Sequence, residues 1–238
     1  MSGTLYLGTS GFAYDQWKGV FYPEGVKVKE RLTYYASVFP SVEINYTFRR
    51  FPSEKTLENW KDLTPEAFRF TLKANQKITH WMKLKGVGDE VKDFVTRGKL
   101  LGPRLGCILF QCPPSLAYDA DLITAFVDLL PEQGPTYAME FRHDSWKQAK
   151  DLLHERGIAW CVAETDDKDP APDDLSWDPV GYLRLRKTEY TDAEMGSWAN
   201  TLRPALEAGS DIFCYFKHED DGASTVMAER LRALLSAT

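Results

Sequence analysis

The chain has 238 residues and a formal net charge of −6, with 43% hydrophobic and 27% charged residues. These proportions match ordinary globular proteins and exclude a disordered chain, a collagen and a coiled coil. The acidic balance argues against a protein that coats nucleic acid, although it leaves room for a local positive pocket.

The four cysteines, Cys107, Cys112, Cys161 and Cys214, form no CxxC pair, and three of them lie in apolar runs. This pattern predicts free, buried thiols and a reducing compartment. The first residues contain no basic segment followed by an apolar one, and no run approaches the length of a membrane span. We therefore expect a cytoplasmic protein that does not enter a membrane.

Short apolar runs rich in β-branched and aromatic residues alternate with helical patterns along the whole chain. Strands are predicted at 5–8, 42–45, 68–73, 105–111, 137–142, 158–163, 182–186 and 212–217. Helices are predicted at 27–38, 53–62, 87–100, 119–130, 146–156, 191–207 and 222–236. Helix-start signals support two of them, namely Ser53 after a proline and a capping box formed by Thr191 and Glu194.

This alternation favours a parallel sheet with right-handed crossovers. Eight such units in one chain of this length predict an α/β fold, a TIM-type (β/α)8 barrel that forms a single domain over 1–238. The alternative is an open doubly wound sheet, but residues 8–12 do not match its usual GxGxxG turn. Residues 164–181 contain six aspartates and three prolines, so we expect an irregular acidic loop in place of the sixth helix.

Polar side chains alternate with apolar ones near the end of most predicted strands. Since the side that packs on the helices must be apolar, the polar set is expected to point inward at the C-terminal mouth of the barrel. That set is Glu43, Asn45, Lys73, Gln111, Glu140, Arg142, Arg184, Arg186 and Lys217. Its five positive and two negative groups predict a pocket for an anionic ligand, such as a phosphate or a carboxylate. A structural ion-pair network is the alternative.

Five blocks of residues carry a resemblance to a known family. They are Gly8 to Tyr14 with Trp17, Val42 to Asn45 with Thr47 to Arg49, Phe68 to Lys73 with Ile78 to His80, Leu109 to Gln111 with Pro113 to Ser115, and Glu140 to His143 with Ser145 and Trp146. In this order they closely resemble the YecE-like family, domain of unknown function 72. The resemblance implies a TIM-type barrel and a cytosolic protein, and it implies no established activity. The chain departs from the family pattern at Arg186 and Lys217.

Chemistry and resemblance together give the candidate site. The catalytic candidates are Glu43, Lys73, Glu140 and His143, and the substrate-binding candidates are Tyr14, Trp17, Asn45, Gln111, Arg142 and Arg184. We expect Glu140 to transfer protons with the help of His143, and the cationic side chains to hold negative charge. For the two aromatic residues the alternative is that they pack the loops down, and for His143 it is a helix cap.

These residues favour an enzyme that acts on a small anionic metabolite without a metal or another cofactor. One alternative is a divalent-metal phosphoester hydrolase with Glu43 and Glu140 as ligands. Another is a protein without catalytic activity that binds an anion or associates with nucleic acid. The four histidines show no HxH or HExxH spacing.

Overall fold

The computed structural model describes residues 2–170, 175, 177–178, 180–217 and 221–236. In chain order the elements are β1 (Leu5–Thr9), α1 (Arg31–Val38), β2 (Ser41–Ile44), α2 (Glu54–Asp62), β3 (Arg69–Lys73), α3 (Gly88–Gly98), β4 (Leu105–Gln111), α4 (Ala120–Val127), β5 (Thr136–Glu140), α5 (Lys150–Glu155), β6 (Ala159–Glu164), β7 (Val180–Leu185), α6 (Asp192–Glu207), β8 (Asp211–Phe216) and α7 (Ala223–Ser236). Short 3-10 turns flank several of them, and a π-helical turn, Lys77–Trp81, follows β3.

The eight strands form one sheet with the order β1-β8-β7-β6-β5-β4-β3-β2. The strand pairs β1–β8, β7–β8, β3–β4, β4–β5 and β5–β6 are parallel. An isolated parallel bridge also joins Ser10, which follows β1, to Glu43 in β2. Parallel strands alternating with helices in this order make the fold a TIM-type (β/α)8 barrel, which confirms the prediction from the sequence.

The chain divides into two compact units. The first unit comprises Met1–Glu43 and Val162–Thr238, and the second unit comprises Ile44–Cys161. Each unit contains neighbouring parallel strands with their own buried apolar side chains. The polar side chains at the strand ends of each unit are therefore described separately.

In the first unit, β1, β8 and β7 pair in register, with Leu7 opposite Cys214. The predicted capping box of α6 is present, since the Glu194 amide donates to Thr191 Oγ1 and the Glu194 carboxylate accepts from the Thr191 amide. Between β6 and β7, the described residues 165–170, 175 and 177–178 contain no helix, as predicted. Some of the acidic residues of that loop, such as Asp173, lie outside the described residues.

In the second unit, the strands β3, β4 and β5 pair in parallel and bury Leu72, Ile108 and Met139, and the register of β3 against β4 shifts between Phe70 and Thr71. The strand β5 ends at Glu140, two residues earlier than predicted. The chain then enters a 3-10 turn, Asp144–Ala149, because the side chain of His143 caps it by accepting a hydrogen bond from the amide of Ser145. The helix α5 therefore begins four residues later than predicted.

All four cysteines are free and buried, and burial raises the pKa of the Cys112 and Cys214 thiols. Among the described residues, none of the helices has the length and apolar character needed to cross a membrane.

The close approach of β1 and β2 gives a test of the fold. A methyl group on Gly8 would overlap the carbonyl oxygen of Ser41, a backbone atom that has no room to move aside. We expect Gly8→Ala to lower the free energy of unfolding by at least about 1–3 kcal/mol, the usual cost of overpacking. Urea unfolding followed by tryptophan fluorescence measures it. The control is Gly25→Ala, where nothing lies within 4 Å of the added carbon; equal stability of the two variants would contradict the packing described.

Candidate functional site

In the first unit, the predicted site residues Glu43 and Arg184 form a buried ion pair. Arg184 Nη2 donates to Glu43 Oε1 at 2.8 Å, and both side chains are almost completely buried. Ser10 Oγ donates to the same carboxylate oxygen at 2.7 Å, and the hydroxyl of Tyr182 donates to Oε2 at 2.7 Å. The carboxylate of Glu43 thus has three protein donors.

These donors decide the protonation state of Glu43. Burial alone would raise the pKa of its carboxyl, but the guanidinium of Arg184 and the hydrogen bonds from Tyr182 and Ser10 outweigh burial and hold that pKa below its usual range. Glu43 is therefore ionised at neutral pH, and its negative charge is paired with the positive charge of Arg184. This geometry suits a group that positions its neighbours better than one that exchanges protons with a ligand.

The aromatic candidates Trp17 and Tyr14 also lie in the first unit. Trp17 is fully buried, and its ring packs against Tyr14 and Phe21 at centroid distances of 4.9 and 5.7 Å. The hydroxyl of Tyr14 donates to the carbonyl of Ser10 at 2.7 Å. Trp17 therefore packs its loop against the core, and substrate binding by Trp17 and Tyr14 stays a prediction.

Two members of the predicted inward set, Arg186 and Lys217, are half-buried in the first unit. Their backbone amides donate to the carbonyls of Glu164 and Leu185, respectively.

In the second unit, three of the predicted residues lie side by side at the carboxyl ends of β3, β4 and β5. Gln111 is directly opposite Glu140 in the β4–β5 register. Lys73 Nζ donates to Gln111 Oε1 at 2.7 Å. Because parallel strands end at the same edge of a sheet, the side chains of Lys73, Gln111 and Glu140 form one continuous polar group.

Arg142 completes this group from just beyond β5. Its Nε donates to Glu140 Oε1 at 3.0 Å, and its side chain stays 37% exposed whereas that of Glu140 is 2% exposed. Among the described residues, none accepts a hydrogen bond from the two terminal nitrogens of Arg142 or from the amide nitrogen of Gln111. These donors remain available to a ligand.

Asn45 lies next to this group in the second unit. The 3-10 turn that follows it, Tyr46–Phe48, contacts the end of β3 because Thr47 Oγ1 donates to the carbonyl of Lys73 at 2.6 Å. The side-chain oxygen of Asn45 is buried and accepts no hydrogen bond from any described residue. An acceptor left in this state costs about 1–3 kcal/mol, so a water molecule or a ligand is expected to donate to it.

His80 is a residue of this site to which the sequence analysis gave no role. It lies in the π-helical turn Lys77–Trp81, and its ring contacts that of Phe48 edge to face at 4.9 Å. The same Phe48 ring carries Lys73 Nζ 4.3 Å from its centroid. Burial, with the positive charges of Lys73 and Arg142, lowers the pKa of His80. In the sequence, the position of His80 in the Ile78-Thr79-His80 block was the one feature that could have indicated a functional role.

The backbone around His80 is unusual. A π-helical turn is rare and often marks a functional site. It is followed by Lys83 and Leu84, whose φ angles of 49° and 66° lie in the left-handed region that non-glycine residues seldom adopt. Leu84 is buried, so packing holds it in this conformation.

His143, predicted to assist Glu140, lies at the start of the 3-10 turn after β5. Its Nδ1 contacts the hydroxyl and the amide of Ser145 at 2.8 and 3.3 Å, and the side chain is exposed. The ring therefore caps this turn, and its Nε2 is the nitrogen left for proton exchange.

Within the part of the chain that the structure describes, no three His, Cys, Asp or Glu side chains are grouped so that they could hold a metal ion. Glu43 and Glu140, the ligands in the metal alternative, each bind an arginine.

Comparisons with known proteins agree on one family. A family model described as "Protein of unknown function DUF72" matches residues 6–238. The UPF0759 protein YecE of Escherichia coli K12 is 28% identical over 169 residues, which cover 68% of this chain and 59% of that protein. The chain thus matches about three fifths of the length of YecE.

One solved structure of the same family and one of another protein share the fold of this chain. A DUF72 family protein from Thermotoga maritima is 26% identical, with a TM-score of 0.80 and coverage of 98% of this chain and 99% of that one. A D-allulose 3-epimerase from Methylomonas sp., solved with D-allulose, is 10% identical with a TM-score of 0.55 and covers 100% and 97% of the two chains. The second likeness shows the fold alone.

The Glu43–Arg184 pair gives a test with a defined pH dependence. Arg184→Met leaves a buried carboxylate without its cation, and we expect the free energy of unfolding to fall by about 3–5 kcal/mol near neutral pH. Without the cation, burial raises the pKa of Glu43 above its ordinary value of 4.5. The carboxyl of the variant is then protonated at a higher pH than in the wild type, so the destabilisation shrinks on acidification toward about pH 5.

Urea unfolding at both pH values measures this change. The control is Arg156→Ala, which removes an exposed pair with Asp128 and is expected to cost less than about 1 kcal/mol. A penalty for Arg184→Met that stays constant across this pH range would contradict an ionised, arginine-bound Glu43.

Proposed function

The chain belongs to the DUF72 family of proteins of unknown function, and we propose that it is an enzyme that binds a small anionic metabolite at the carboxyl ends of β3, β4 and β5. We further propose that it acts on this metabolite by acid–base chemistry. The observation that carries the proposal is the set of unused polar atoms around Lys73, on Arg142, Gln111 and Asn45. Of these atoms the Asn45 oxygen is buried, and because buried polar atoms are usually paired within a protein, its unpaired state favours a ligand.

The charge of this group supports an anion. Lys73 and Arg142 contribute two positive charges and Glu140 one negative charge, so the group is net positive within a protein of net charge −6. Arg142 offers two terminal N–H groups from one plane, which is the geometry that matches a carboxylate or a phosphate. Lys73 is fixed by Gln111, so little side-chain freedom is lost when an anion binds.

Each residue then has a role in the proposed reaction. Lys73 and Arg142 hold the negative charge of the substrate, and Gln111 and Asn45 orient it through an N–H donor and a carbonyl acceptor. Glu140, which is paired with Arg142, accepts a proton from the substrate, and His143 assists through its Nε2. In the first unit, Glu43 and Arg184 keep a positioning role.

A protein that only binds the anion is the competing proposal, and Glu140 separates the two. The Glu140→Gln variant keeps the shape of the side chain and still accepts a hydrogen bond from Arg142, but it cannot accept a proton. Under the enzyme proposal this variant binds the anion and loses turnover. Turnover that survives Glu140→Gln would remove Glu140 from the chemistry.

Anion binding is tested by thermal unfolding with a panel of phosphorylated and carboxylated metabolites. A ligand at 100 times its dissociation constant adds about 2.7 kcal/mol to the free energy of unfolding, which raises the melting temperature measurably. We expect a rise in the wild type and in Arg156→Ala, and none in Arg142→Ala. The Arg156 control removes one exposed positive charge from the same unit, so it corrects for general electrostatic attraction.

Two outcomes would contradict the proposal. One is a wild-type protein that responds to no anion of the panel. The other is a melting temperature that rises equally in wild type and Arg142→Ala, which would place the anion elsewhere on the chain.

A further inference from the structure

We propose that His80 is an additional ligand-contacting residue of this site and that it takes up a proton when the anion binds. The inference rests on the proposed function, because it assumes that an anion binds next to Lys73 and Arg142. Protonated His80 would be a third cationic group beside Lys73 and Arg142, and it would form only when the anion is bound.

The position of His80 is fixed by three contacts. Its Nδ1 lies 2.8 Å from the hydroxyl of Thr79, a fully buried residue. Its ring meets Phe48 edge to face, and that same aromatic ring carries the ammonium group of Lys73. The imidazole therefore contacts the same aromatic ring as the cation that we propose binds the anion.

The other ring nitrogen of His80 is Nε2. Among the described residues, none forms a hydrogen bond with His80 Nε2, and the side chain is half-buried. Since Nδ1 is occupied by Thr79, a ligand at Lys73 would meet Nε2. This is the atom that we propose contacts the anion.

The charges around His80 keep it neutral while the site is empty. Burial lowers the pKa of its imidazole most strongly, and the positive charges of Lys73 and Arg142 lower it further, whereas Glu140 acts in the opposite direction. On its own turn, the nearby Lys77 is paired with Glu90 at 2.8 Å. The imidazole is therefore uncharged at neutral pH.

A bound anion reverses this balance. It offsets the positive charges of Lys73 and Arg142 and places a negative charge next to the ring, so the pKa of His80 rises. The imidazole then takes up a proton from solvent and its N–H donates to the anion. Because linkage is reciprocal, the anion binds more tightly as the pH falls.

Inorganic sulfate is the probe, because it stays a dianion throughout the range studied and any pH dependence therefore comes from the protein. We expect its dissociation constant in the wild type to fall between about pH 8 and pH 6, with a slope that approaches tenfold per pH unit for one linked proton. Calorimetry in two buffers of different ionisation enthalpy should report an uptake of close to one proton. The imidazole resonance of His80 should titrate at a higher pH when sulfate is present.

Variants assign the proton to one residue. In His80→Gln, sulfate still binds at the upper end of the range, but the pH dependence and the proton uptake disappear. His154→Gln alters an exposed histidine of α5 and should retain the wild-type behaviour. If the linkage survives His80→Gln and disappears in His143→Gln, the proton belongs to His143 and the inference is overturned.

The inference and the proposed function fail in different ways. If the dissociation constant of sulfate for the wild type is the same at every pH in the range, the role of His80 is overturned and the proposed anion site is still supported. Sulfate that fails to bind the wild type at any pH overturns the anion site and the role of His80 with it.

Discussion

The cost of removing charge from water governs the arrangement of this protein's strand ends. Three pairs of polar side chains lie there at hydrogen-bonding distance. Glu43 is bound by Arg184, Glu140 by Arg142, and the ammonium of Lys73 by the amide oxygen of Gln111. Without these partners, each buried ion would cost several kcal/mol.

The two units differ in how far the ion pairs at their strand ends are shielded from solvent. In the first unit, Glu43 has three donors and almost no exposure, so its pair with Arg184 is closed to solvent. In the second unit, Arg142 uses one nitrogen on Glu140 and stays partly exposed. The partial exposure of Arg142 makes the second unit the better candidate for a binding site, since a ligand can reach its terminal nitrogens.

The sequence predicted the strands and the candidate residues because both follow from periodicity. Alternation of apolar and polar residues in β4 and β5 places Gln111 and Glu140 on one face, and their register brings them together. The burial of Trp17 and the role proposed for His80 have no such signal. Trp17 depends on how a loop packs, and His80 depends on a π-helical turn, which leaves no repeating pattern in the chain.

The hydrogen bond between Lys73 and Gln111 makes the net charge of this polar group depend on one atom of the Gln111 side chain. The amide of Gln111 turns its oxygen toward the ammonium, which directs its nitrogen away from Lys73 as a donor. Glutamate has nearly the same shape, but it would replace that nitrogen with a second oxygen and bring a formal negative charge. The summed charge of Lys73, Gln111, Glu140 and Arg142 would then fall by one unit with almost no change in side-chain volume, and the anion binding proposed for this strand edge would weaken.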